Sequence, residues 1–552
     1  MSELAAHRAE VLRRTRIPKD YWPPEDAWPY LKPTRYVKWS DELNLTTLLV
    51  ERNIERGRGQ KVAIFTGDKS ITYNELSRLS NKLGNSLKKL GIKSGDRVAL
   101  RLTNGPGFVI SDLATQKIGA VVVPMFLLLK ASSIEHIGND AEITTVIVDA
   151  DWLEEVEKTK IDSLKHIIVL KGTQAHKEKG YLIFEELLEA GEEDLEVERI
   201  YFHDVVMVHY TSGTTGFPKG CIQTPVTLLG HVTNTIERAG LVEDDVIFIT
   251  PPLPFAYGHA SLMYAFYLGA SCSLMERFTP EDSLKQVEQH KVTVIAGVPT
   301  VYRLMLPHMP NYNLSSLRLL MSAGETFTED LGAKIREALP QAKIFNFYGY
   351  TEIWNYIGTV SGVHPPTSLG TPYEEYEAII LDEDTKQEVP QGKVGTIAAR
   401  GAGACLYWRL PEKQRDSIKD GWFCTDDLAY KDENGVIWFT ARDIDIIKSS
   451  GYLIAPYEIE DLLSKHPAVL TAGCIGVPDP AKGEIVKAFL KLKPGYEPSD
   501  KLIEELEKFA EEKLEKFKVP RRWEFIAAIP TTLSGKTLRR GLKELEEKNK
   551  EI

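Results

Sequence analysis

The sequence is poor in cysteine and has no excess of positive charge. Only 5 cysteines occur in 552 residues, and they lie far apart with no CxxC pair. This spacing provides neither a disulfide framework nor a zinc-ligand set, so it favours a reducing, cytoplasmic compartment. The formal net charge is -12, which argues against nucleic acid as a partner because duplex binding requires a basic face. An anionic ligand must therefore be held by local cations.

Long apolar runs are also missing. No uninterrupted apolar stretch approaches the roughly 20 residues that a membrane-spanning helix needs. The N-terminal segment MSELAAHRAEVLRRTR carries charges throughout, which is unlike the apolar core of a signal peptide. We therefore expect no integral membrane segment. At 552 residues the chain exceeds the size that one hydrophobic core supports, so we expect at least two domains.

Apolar runs alternate with helix-like segments through much of the chain. Leu76, Leu79, Leu83, Leu87 and Leu90 fall on one face of a helix. The runs RVALRL, TTVIVDA, DVVMVHY, DDVIFITP, VTVIAGVP and AKIFNFYG have the composition of buried strands. This alternation predicts an α/β architecture.

Shorter strand-like pieces replace this pattern after about residue 370. DENG at 432–435 predicts a turn between two of them. Near the C-terminus, an apolar stripe predicts an amphipathic helix that includes Leu502, Ile503, Leu506, Phe509 and Phe517. A second domain of ordinary size could begin near Asp443.

A glycine-rich stretch, YTSGTTGFPKG at 210–220, places glycines and hydroxyl side chains before one lysine. Glycine, serine and threonine are common in exposed turns, so a solvent-exposed loop is the simpler interpretation. The alternative is a phosphate loop, since glycines allow backbone N–H groups to converge and Lys219 supplies a positive charge. The stretch matches neither GxxxxGK[ST] nor GxGxxG, so it belongs to neither of those loop types.

Further motifs follow the glycine-rich stretch in a fixed order. They are SAGE at 322–325, FYGYTE at 347–352, DGWFCTDDL at 420–428, ARDIDIIKSSGYLIAPYEIE at 441–460 and LSGKTLRR at 533–540. Together they resemble the adenylate-forming enzymes, a superfamily of acyl-CoA synthetases, peptide-synthetase adenylation domains and luciferases. The segments FAYGHA, GVPTVY, SAGE and APYEIE are most similar to benzoate-type and short- to medium-chain acyl-CoA ligases.

The resemblance implies a fold and a reaction. The fold would be α/β, with a large multi-subdomain N-terminal domain over residues 1–442 and a small, mobile α+β lid over 443–552. The reaction would be an ATP-dependent acid–thiol ligation, in which the acid forms acyl-AMP and coenzyme A then accepts the acyl group. Mg²⁺ with ATP, and coenzyme A, are therefore implied, and the partners are small molecules.

The resemblance also implies a nucleotide site. Its loop would hold the phosphates of ATP, and Asp427 would hold the ribose, because a carboxylate can accept hydrogen bonds from two hydroxyls. Outside its motif, Asp427 fits a turn aspartate equally well. The residues implied to bind ATP or AMP are Thr211, Ser212, Gly213, Thr214, Thr215, Gly216, Lys219, Gly324, Glu325, Asn346, Tyr348, Gly349, Thr351, Asp427 and Arg442.

Lys536, Glu352 and Lys219 are implied to carry the catalysis. Lys536 matches the family's adenylation lysine, a cation that would bridge the acid and the α-phosphate as charge moves onto pyrophosphate. Glu352 and Thr214 would lie at the Mg²⁺ ion, a hard cation that prefers oxygen ligands. Outside its motif, Glu352 would be a solvated or helix-capping carboxylate.

One position departs from the family pattern. Relatives carry GRxDD where this chain has ARDID, so Ile444 replaces the usual hinge aspartate. Asp443 and Asp445 are the neighbouring candidates, since a hinge requires only residues that absorb backbone rotation. The following residues are implied to line a coenzyme A channel: Ser450, Gly451 and Tyr452.

The acyl pocket is implied to be lined by His259, Val298, Ala323 and Gly349. His259 fits a satisfied core histidine equally well. Gly349 stands where the similar acetyl-CoA synthetases carry a tryptophan that closes the pocket to longer acids. We therefore expect an open space beyond Gly349 that accepts a ring or a longer chain. The alternative is that Gly349 serves only a backbone turn.

The acid itself stays open at this level. Aromatic acids such as benzoate, aminobenzoate or hydroxybenzoate lead on resemblance, and short hydroxyacids such as 4-hydroxybutyrate and medium-chain fatty acids are alternatives. Amino-acid-adenylating enzymes are remoter, because Gly258 stands where amino-acid activators often place an amine-binding aspartate. A luciferase-like enzyme is also remoter, and a luminescence assay with oxygen would separate it from a ligase. A nucleotide-binding protein without catalysis is a further class, and it would bind ATP without releasing pyrophosphate.

The position of Lys536 in LSGK yields a prediction that separates the two half-reactions. Lys536→Ala is expected to slow adenylate formation by orders of magnitude, because a charge contact made in the transition state is lost. Thioester formation from supplied acyl-AMP is expected to continue. Single-turnover assays of each half-reaction measure this, and equal loss of both would mean that the lysine has a structural role.

Overall fold

The computed structural model describes residues 3–29, 44–211, 218–382, 385–403, 406–442, 447–449, 452–454, 456–479, 483–514, 516, 518–531 and 537–550. The chain divides into two compact units. The first consists of Met1–Ile379 with Ala398–Cys424, and the second of Ile380–Ile397 with Thr425–Ile552. The boundary expected between residues 442 and 443 lies within the second unit and stays a prediction.

Strands occur along most of the chain. In chain order they are β1 (Val62–Thr66), β2 (Lys69–Thr72), β3 (Arg97–Arg101), β4 (Val121–Pro124), β5 (Ile143–Asp149), β6 (His166–Leu170), β7 (Leu182–Ile183), β8 (Met207–Thr211), β9 (Lys219–Gln223), β10 (Val246–Ile249), β11 (Ser271–Ser273), β12 (Val294–Gly297), β13 (Leu319–Ser322), β14 (Lys343–Tyr350), β15 (Trp354–Gly358), β16 (Thr371–Pro372), β17 (Tyr376–Leu381), β18 (Gly395–Gly401), β19 (Ile418–Lys419), β20 (Trp422–Lys431), β21 (Ile437–Arg442), β22 (Ile447–Ser449), β23 (Tyr452–Ile454), β24 (Val469–Asp479), β25 (Gly483–Leu492) and β26 (Arg522–Phe525).

Helices alternate with these strands. They are α1 (Glu3–Arg14), α2 (Tyr73–Lys89), α3 (Pro106–Lys117), α4 (Ala131–Asp140), α5 (Glu154–Glu157), α6 (Gln174–Glu178), α7 (Phe184–Ala190), α8 (Pro225–Ala239), α9 (Ala256–Leu268), α10 (Pro280–Gln289), α11 (Pro299–Met305), α12 (Glu329–Ala338), α13 (Pro411–Ser417), α14 (Pro456–Ser464), α15 (Asp500–Glu511) and α16 (Arg539–Lys550). In the part of the chain that the structure describes, no helix combines the length and apolar character needed to cross a membrane.

The first unit contains two large, mainly parallel sheets. A seven-stranded sheet has the order β7-β6-β5-β3-β4-β8-β9, and a nine-stranded sheet has the order β16-β15-β14-β13-β12-β10-β11-β1-β2. Their central strands are buried, as expected where helices cover a parallel sheet. Ligand sites in such sheets form at the carboxyl ends of the strands, so those ends are where the candidate site is sought.

The sequence patterns locate these elements well. The leucine stripe lies on α2, which begins with a capping box between Thr72 and Glu75. The apolar runs coincide with β3, β5, β8, β10, β12 and β14, which confirms them as strands. The turn at 432–435 joins β20 to β21, closed by the Gly435 N–H donating to the Asp432 carbonyl. Helix α15 ends at Glu511, and Phe517 lies outside the described residues.

A third sheet has the order β17-β18-β20-β19, with β21 beside β20. The second unit has its own sheet, of order β23-β22-β25-β24, with β26 parallel to β25. Ile447, Leu463, Val486 and Leu506 belong to the hydrophobic core of this unit.

Lys487 joins three elements of the second unit and yields a stability prediction. Its ammonium on β25 contacts the carboxylates of Glu546 on α16 and Glu524 on β26, the latter at 2.6 Å. Lys487→Met removes the cation and leaves the buried Glu546 poorly compensated, so we expect a loss of about 2–4 kcal/mol in the free energy of unfolding. Urea unfolding of the full chain measures this.

Lys491→Met is the matched control. Lys491 lies on the same strand and is only half-buried, so its replacement is expected to change stability by less than about 0.5 kcal/mol. Equal, small effects of the two substitutions would show that the ion pairs of Lys487 contribute nothing to the second unit.

Candidate active site

A hairpin of β8 and β9 flanks the glycine-rich loop. The two strands are antiparallel, and their register pairs Thr211 with Lys219 at the open end. Both residues are half-buried, so their side chains reach the surface where the loop begins and ends. The loop residues expected to hold phosphate, Ser212, Gly213, Thr214, Thr215 and Gly216, lie outside the described residues, and their role stays a prediction.

Tyr407 connects this hairpin to Glu352. The Trp408 N–H donates to the Gly220 carbonyl at 2.9 Å, so the segment that contains Tyr407 runs beside β9. From there the Tyr407 hydroxyl donates to Glu352 Oε1 at 2.9 Å. The carboxylate expected at the metal is thereby held at a defined distance from the strand that carries Lys219.

A second hydrogen bond fixes the same region. The Gln223 side-chain amide, at the end of β9, donates to the Thr351 carbonyl at 3.0 Å. The structure therefore brings Lys219, Thr351 and Glu352 together on one framework. Sequence reasoning missed both Tyr407 and Gln223. The signal for Tyr407 was a single hydroxyl within the apolar segment CLYW, since a buried tyrosine hydroxyl usually has a hydrogen-bond partner.

The residues expected around the adenine are anchored by their own polar groups. Glu325 accepts hydrogen bonds from the N–H and hydroxyl of Thr300, at 3.0 and 2.8 Å. The Asn346 side-chain amide donates to the Ser368 carbonyl at 2.9 Å. Both side chains therefore have hydrogen-bond partners within the protein, and their role toward adenine stays a prediction. Tyr348 remains half-buried, with its ring 5.6 Å from that of Tyr356.

Val298 and Ala323 lie side by side. They follow the neighbouring parallel strands β12 and β13, whose last residues, Gly297 and Ser322, are paired. Gly324, at φ +83°, turns the chain there, and a Cβ atom on it would lie 3.8 Å from the Val298 side chain. The two predicted pocket residues thus occupy the carboxyl edge of the nine-stranded sheet, where a ligand is expected.

Tyr257 supplies an aromatic wall beside them. Its hydroxyl donates to the Met321 carbonyl at 2.8 Å, which ties α9 to the end of β13. Its ring makes an edge-to-face contact with Phe347, with centroids 5.0 Å apart. The position of the Tyr257 ring is fixed by this hydrogen bond and by the contact with Phe347. Sequence reasoning selected neither Tyr257 nor Phe347.

The expectation of an open space beyond Gly349 is wrong. Gly349 pairs with Asn355 across β14 and β15, and a Cβ atom on it would lie 1.8 Å from the Trp354 carbonyl oxygen. The space that a side chain at 349 would need is filled by backbone. Glycine is required here for the close approach of two strands, and its place in the acyl pocket stays a prediction.

His259 lies in a buried group of rings. Its ring centroid is 5.7 Å from that of His209 and 6.5 Å from that of Trp354, and its Nε2 lies 3.4 Å from Asp112. It is buried, and its place in the acyl pocket stays a prediction. Trp354 has a positive φ of 57°, uncommon for a bulky residue.

Burial keeps the neighbouring imidazoles uncharged. It lowers the pKa of His231 to about 3 and holds the pKa of His209 well below its usual range, with the neighbouring His259 lowering it further. Tyr210, next along β8, donates to Asp140 at 2.5 Å. Burial, with this carboxylate, keeps the pKa of Tyr210 well above its usual value.

In the second unit, Asp427 and Arg442 are paired across β20 and β21. Asp427 is buried, and its N–H donates to the Thr425 hydroxyl at 3.2 Å. Tyr452 begins β23, opposite Ser449. Lys536, Ser450, Gly451, Ile444, Asp443 and Asp445 lie outside the described residues. The roles proposed for all of these residues stay predictions.

The donor set fits a magnesium ion that arrives with ATP. No group of three His, Cys, Asp or Glu side chains suited to a metal occurs among the described residues. Glu352 therefore offers a single carboxylate, oriented by Tyr407. Mg²⁺ is commonly bound by one or two carboxylates together with substrate phosphates and water, so this arrangement suits it.

A separate cleft of about 150 Å³ lies at the carboxyl ends of β3, β4, β10 and β11. Its walls are mainly apolar and include Leu102, Phe126, Ile249, Met275 and Phe278. Phe126 also contacts Phe255, at the start of α9, with ring centroids 4.6 Å apart. The four residues expected to line the acyl pocket are not among those that line this cleft.

Comparison with known proteins supports a common origin. The model of the family described as AMP-binding enzyme matches residues 50–407, and that of the AMP-binding enzyme C-terminal domain matches residues 458–536. The chain is 31% identical to an acetyl-coenzyme A synthetase of Bacillus subtilis over 92% of this chain and 91% of that protein. It is 32% identical to 4-hydroxybutyrate–CoA ligase 1 of Metallosphaera sedula, over 89% of each chain.

Solved structures are similar over almost the whole chain. An anthranilate CoA ligase in complex with anthranoyl-AMP matches with a TM-score of 0.87 and 32% sequence identity, over 94% of this chain and 100% of that chain. The mixed α/β architecture, with a larger N-terminal and a smaller C-terminal part, agrees with this structure.

The approach at Gly349 yields a prediction. Gly349→Ala forces β14 and β15 apart, so we expect a loss of about 2 kcal/mol or more in stability and a large loss of ligase activity. Gly105→Ala is the control, because its Cβ would lie 3.9 Å from Glu276 and its backbone is extended. This N-cap change is expected to cost about 1 kcal/mol or less. Equal unfolding midpoints would contradict the close approach.

Proposed function

The chain belongs to the AMP-binding enzyme family and is an acyl-CoA synthetase, and on this basis we propose that its acid is aromatic, of the benzoate, aminobenzoate or hydroxybenzoate class. The observation that carries the proposal is the wall formed by Tyr257 and Phe347 beside Val298 and Ala323. An aromatic edge held in a fixed position favours an aromatic ring as its partner. The likeness to an anthranilate CoA ligase supports the same class.

The reaction has two steps. A carboxylate oxygen attacks the α-phosphorus of ATP, the bond from that phosphorus to the bridging oxygen breaks, and pyrophosphate leaves with the electron pair. The sulfur of coenzyme A then attacks the acyl carbon, AMP leaves as the acyl–oxygen bond breaks, and the thiol proton passes to solvent. Activation is needed because a free carboxylate is a poor acyl donor.

The described residues serve the first step through charge and orientation. Lys219 supplies a cation for the phosphates of ATP, and Glu352 is the residue that would hold the accompanying Mg²⁺, which neutralises phosphate charge. Tyr407 and Gln223 keep Glu352 and Thr351 in place while charge shifts onto pyrophosphate. A preorganised arrangement of this kind stabilises the transition state without further rearrangement.

A short hydroxyacid is the second candidate. Backbone fills the space beyond Gly349, which favours a substrate of short reach in that direction. A relative that is 32% identical is a 4-hydroxybutyrate–CoA ligase. The two candidate substrates differ in shape: an aromatic acid requires a flat pocket, whereas a short hydroxyacid requires a narrow one.

A panel of acids tests the proposal. The protein is incubated with ATP, Mg²⁺ and coenzyme A, and AMP formation is measured for benzoate, the aminobenzoates, the hydroxybenzoates, 4-hydroxybutyrate, acetate, butyrate and octanoate. We expect the highest kcat/KM for a substituted benzoate, at least about tenfold above acetate, since each buried methylene contributes roughly 1–3 kcal/mol of discrimination. A maximum at acetate or octanoate would overturn the aromatic assignment.

A further inference from the structure

Four buried rings lie close together, and we refer to His209, His231, His259 and Trp354 as the histidine cluster. They come from β8, α8, α9 and β15. The Trp354 ring lies 5.6 Å from that of His209 and 4.9 Å from that of His231, measured between centroids. No element of the chain contributes more than one of these rings, so the tertiary fold alone brings them together.

Several polar atoms of the cluster lack a partner. Within the described part of the chain, neither nitrogen of His209, nor His259 Nδ1, nor Trp354 Nε1 makes a hydrogen bond, although these atoms are buried. The three residues are 2%, 1% and 2% exposed. His231 differs, because its Nε2 lies 2.9 Å from the Tyr264 hydroxyl. Leaving buried polar atoms unpaired costs free energy. A ligand group that forms hydrogen bonds with these atoms would remove that cost.

The cluster is in the right place to receive part of a substrate. His209 lies two residues before Thr211, where the glycine-rich loop begins. Trp354 lies two residues after Glu352, and its carbonyl lies against Gly349. The cluster therefore contains one residue predicted to line the acyl pocket, His259, and adjoins another, Gly349.

The chemistry of the cluster selects the kind of group. Because burial keeps His209 uncharged, its imidazole offers one donor and one acceptor, and the indole of Trp354 adds a donor. The Asp112 carboxylate, 3.4 Å from His259 Nε2, disfavours a second anion. The cluster therefore suits a small, uncharged group that both donates and accepts.

We propose that the histidine cluster binds a hydroxyl or amino substituent on the acyl group of the substrate. This inference rests on the proposed function and deepens it, because it requires the acid to carry a polar substituent and to have no second carboxylate. It covers both candidate classes: a hydroxy- or aminobenzoate and a short hydroxyacid each have such a group, whereas benzoate, butyrate and octanoate have none.

Matched pairs of acids test the proposal. Benzoate is compared with each hydroxybenzoate and aminobenzoate, and butyrate with 4-hydroxybutyrate, by kcat/KM for AMP formation. We expect at least one polar acid to exceed its apolar parent by about tenfold or more. His209→Phe is expected to bring that ratio close to one.

His290→Phe is the matched control. His290 is also buried, but its two ring nitrogens lie 2.9 Å from the Ser273 hydroxyl and 2.9 Å from the Gly67 carbonyl. Its replacement is expected to lower the unfolding midpoint without changing the ratio. His209→Phe breaks no hydrogen bond of the protein and is expected to keep the midpoint. If it fails to fold, Trp354→Phe, which removes one donor and keeps a ring, is expected to lower the ratio severalfold.

The outcomes distinguish a failure of the proposed substrate class from a failure of the proposed role of the histidine cluster. If apolar and polar acids are used equally by the unaltered protein, or if the ratio survives both substitutions, the cluster holds only water and the inference is overturned. If an apolar aromatic acid such as benzoate is the best substrate, the proposed function stands and the inference fails. If no aromatic or hydroxy acid yields AMP, the proposed function fails as well.

Discussion

The close pairing of β14 with β15 at Gly349 is the constraint on which the candidate site depends. The absence of a side chain at 349 lets the Trp354 carbonyl approach the partner strand. Thr351 and Glu352 lie in the tight connection that results, and Trp354, with its positive φ, directs its ring toward the histidines. One glycine thus sets the position of a predicted metal-binding carboxylate on one side and of a buried aromatic ring on the other.

The hydrogen bonds around this connection divide the site into two chemically different parts. Toward the glycine-rich loop, the Tyr407 hydroxyl donates to Glu352 and the Gln223 amide donates to the Thr351 carbonyl. Behind the connection, the nitrogens of His209 and the indole N–H of Trp354 have no partner in the described structure. These hydrogen bonds keep Glu352 and Thr351 in place while negative charge shifts onto pyrophosphate in the first half-reaction. The unsatisfied groups behind the connection remain available for a ligand.

Sequence periodicity predicted most of the scaffold. The leucine stripe located α2, and the apolar runs located the main strands of both large sheets, because the local period reports which face of an element is buried. The order of the motifs identified the superfamily and the reaction. Contacts between segments distant in sequence could not be predicted from periodicity or motif order. Neither Tyr407 nor the histidine cluster forms a pattern along the chain.

Gly349 shows where inference from a matching position fails. A glycine that replaces a tryptophan suggests added space, but the backbone of the next strand can move into that space. The glycine at 349 was matched correctly to its place in the motif FYGYTE, but the space expected beside it is occupied by backbone. For His259 the sequence left a core position and a place in the acyl pocket equally open. The rings of His209 and Trp354 beside it come from other elements and could be found only in the folded chain.

The central claim is that the acid is activated as an adenylate before coenzyme A takes part. The most direct test mixes the protein with ATP labelled at the α-phosphate, Mg²⁺ and the best acid of the panel, without coenzyme A, and then adds coenzyme A. The account predicts a labelled acyl-AMP bound to the protein, with an equal amount of pyrophosphate, followed by conversion to acyl-CoA and labelled AMP. Release of ADP, or no labelled acyl product until coenzyme A is present, would contradict it.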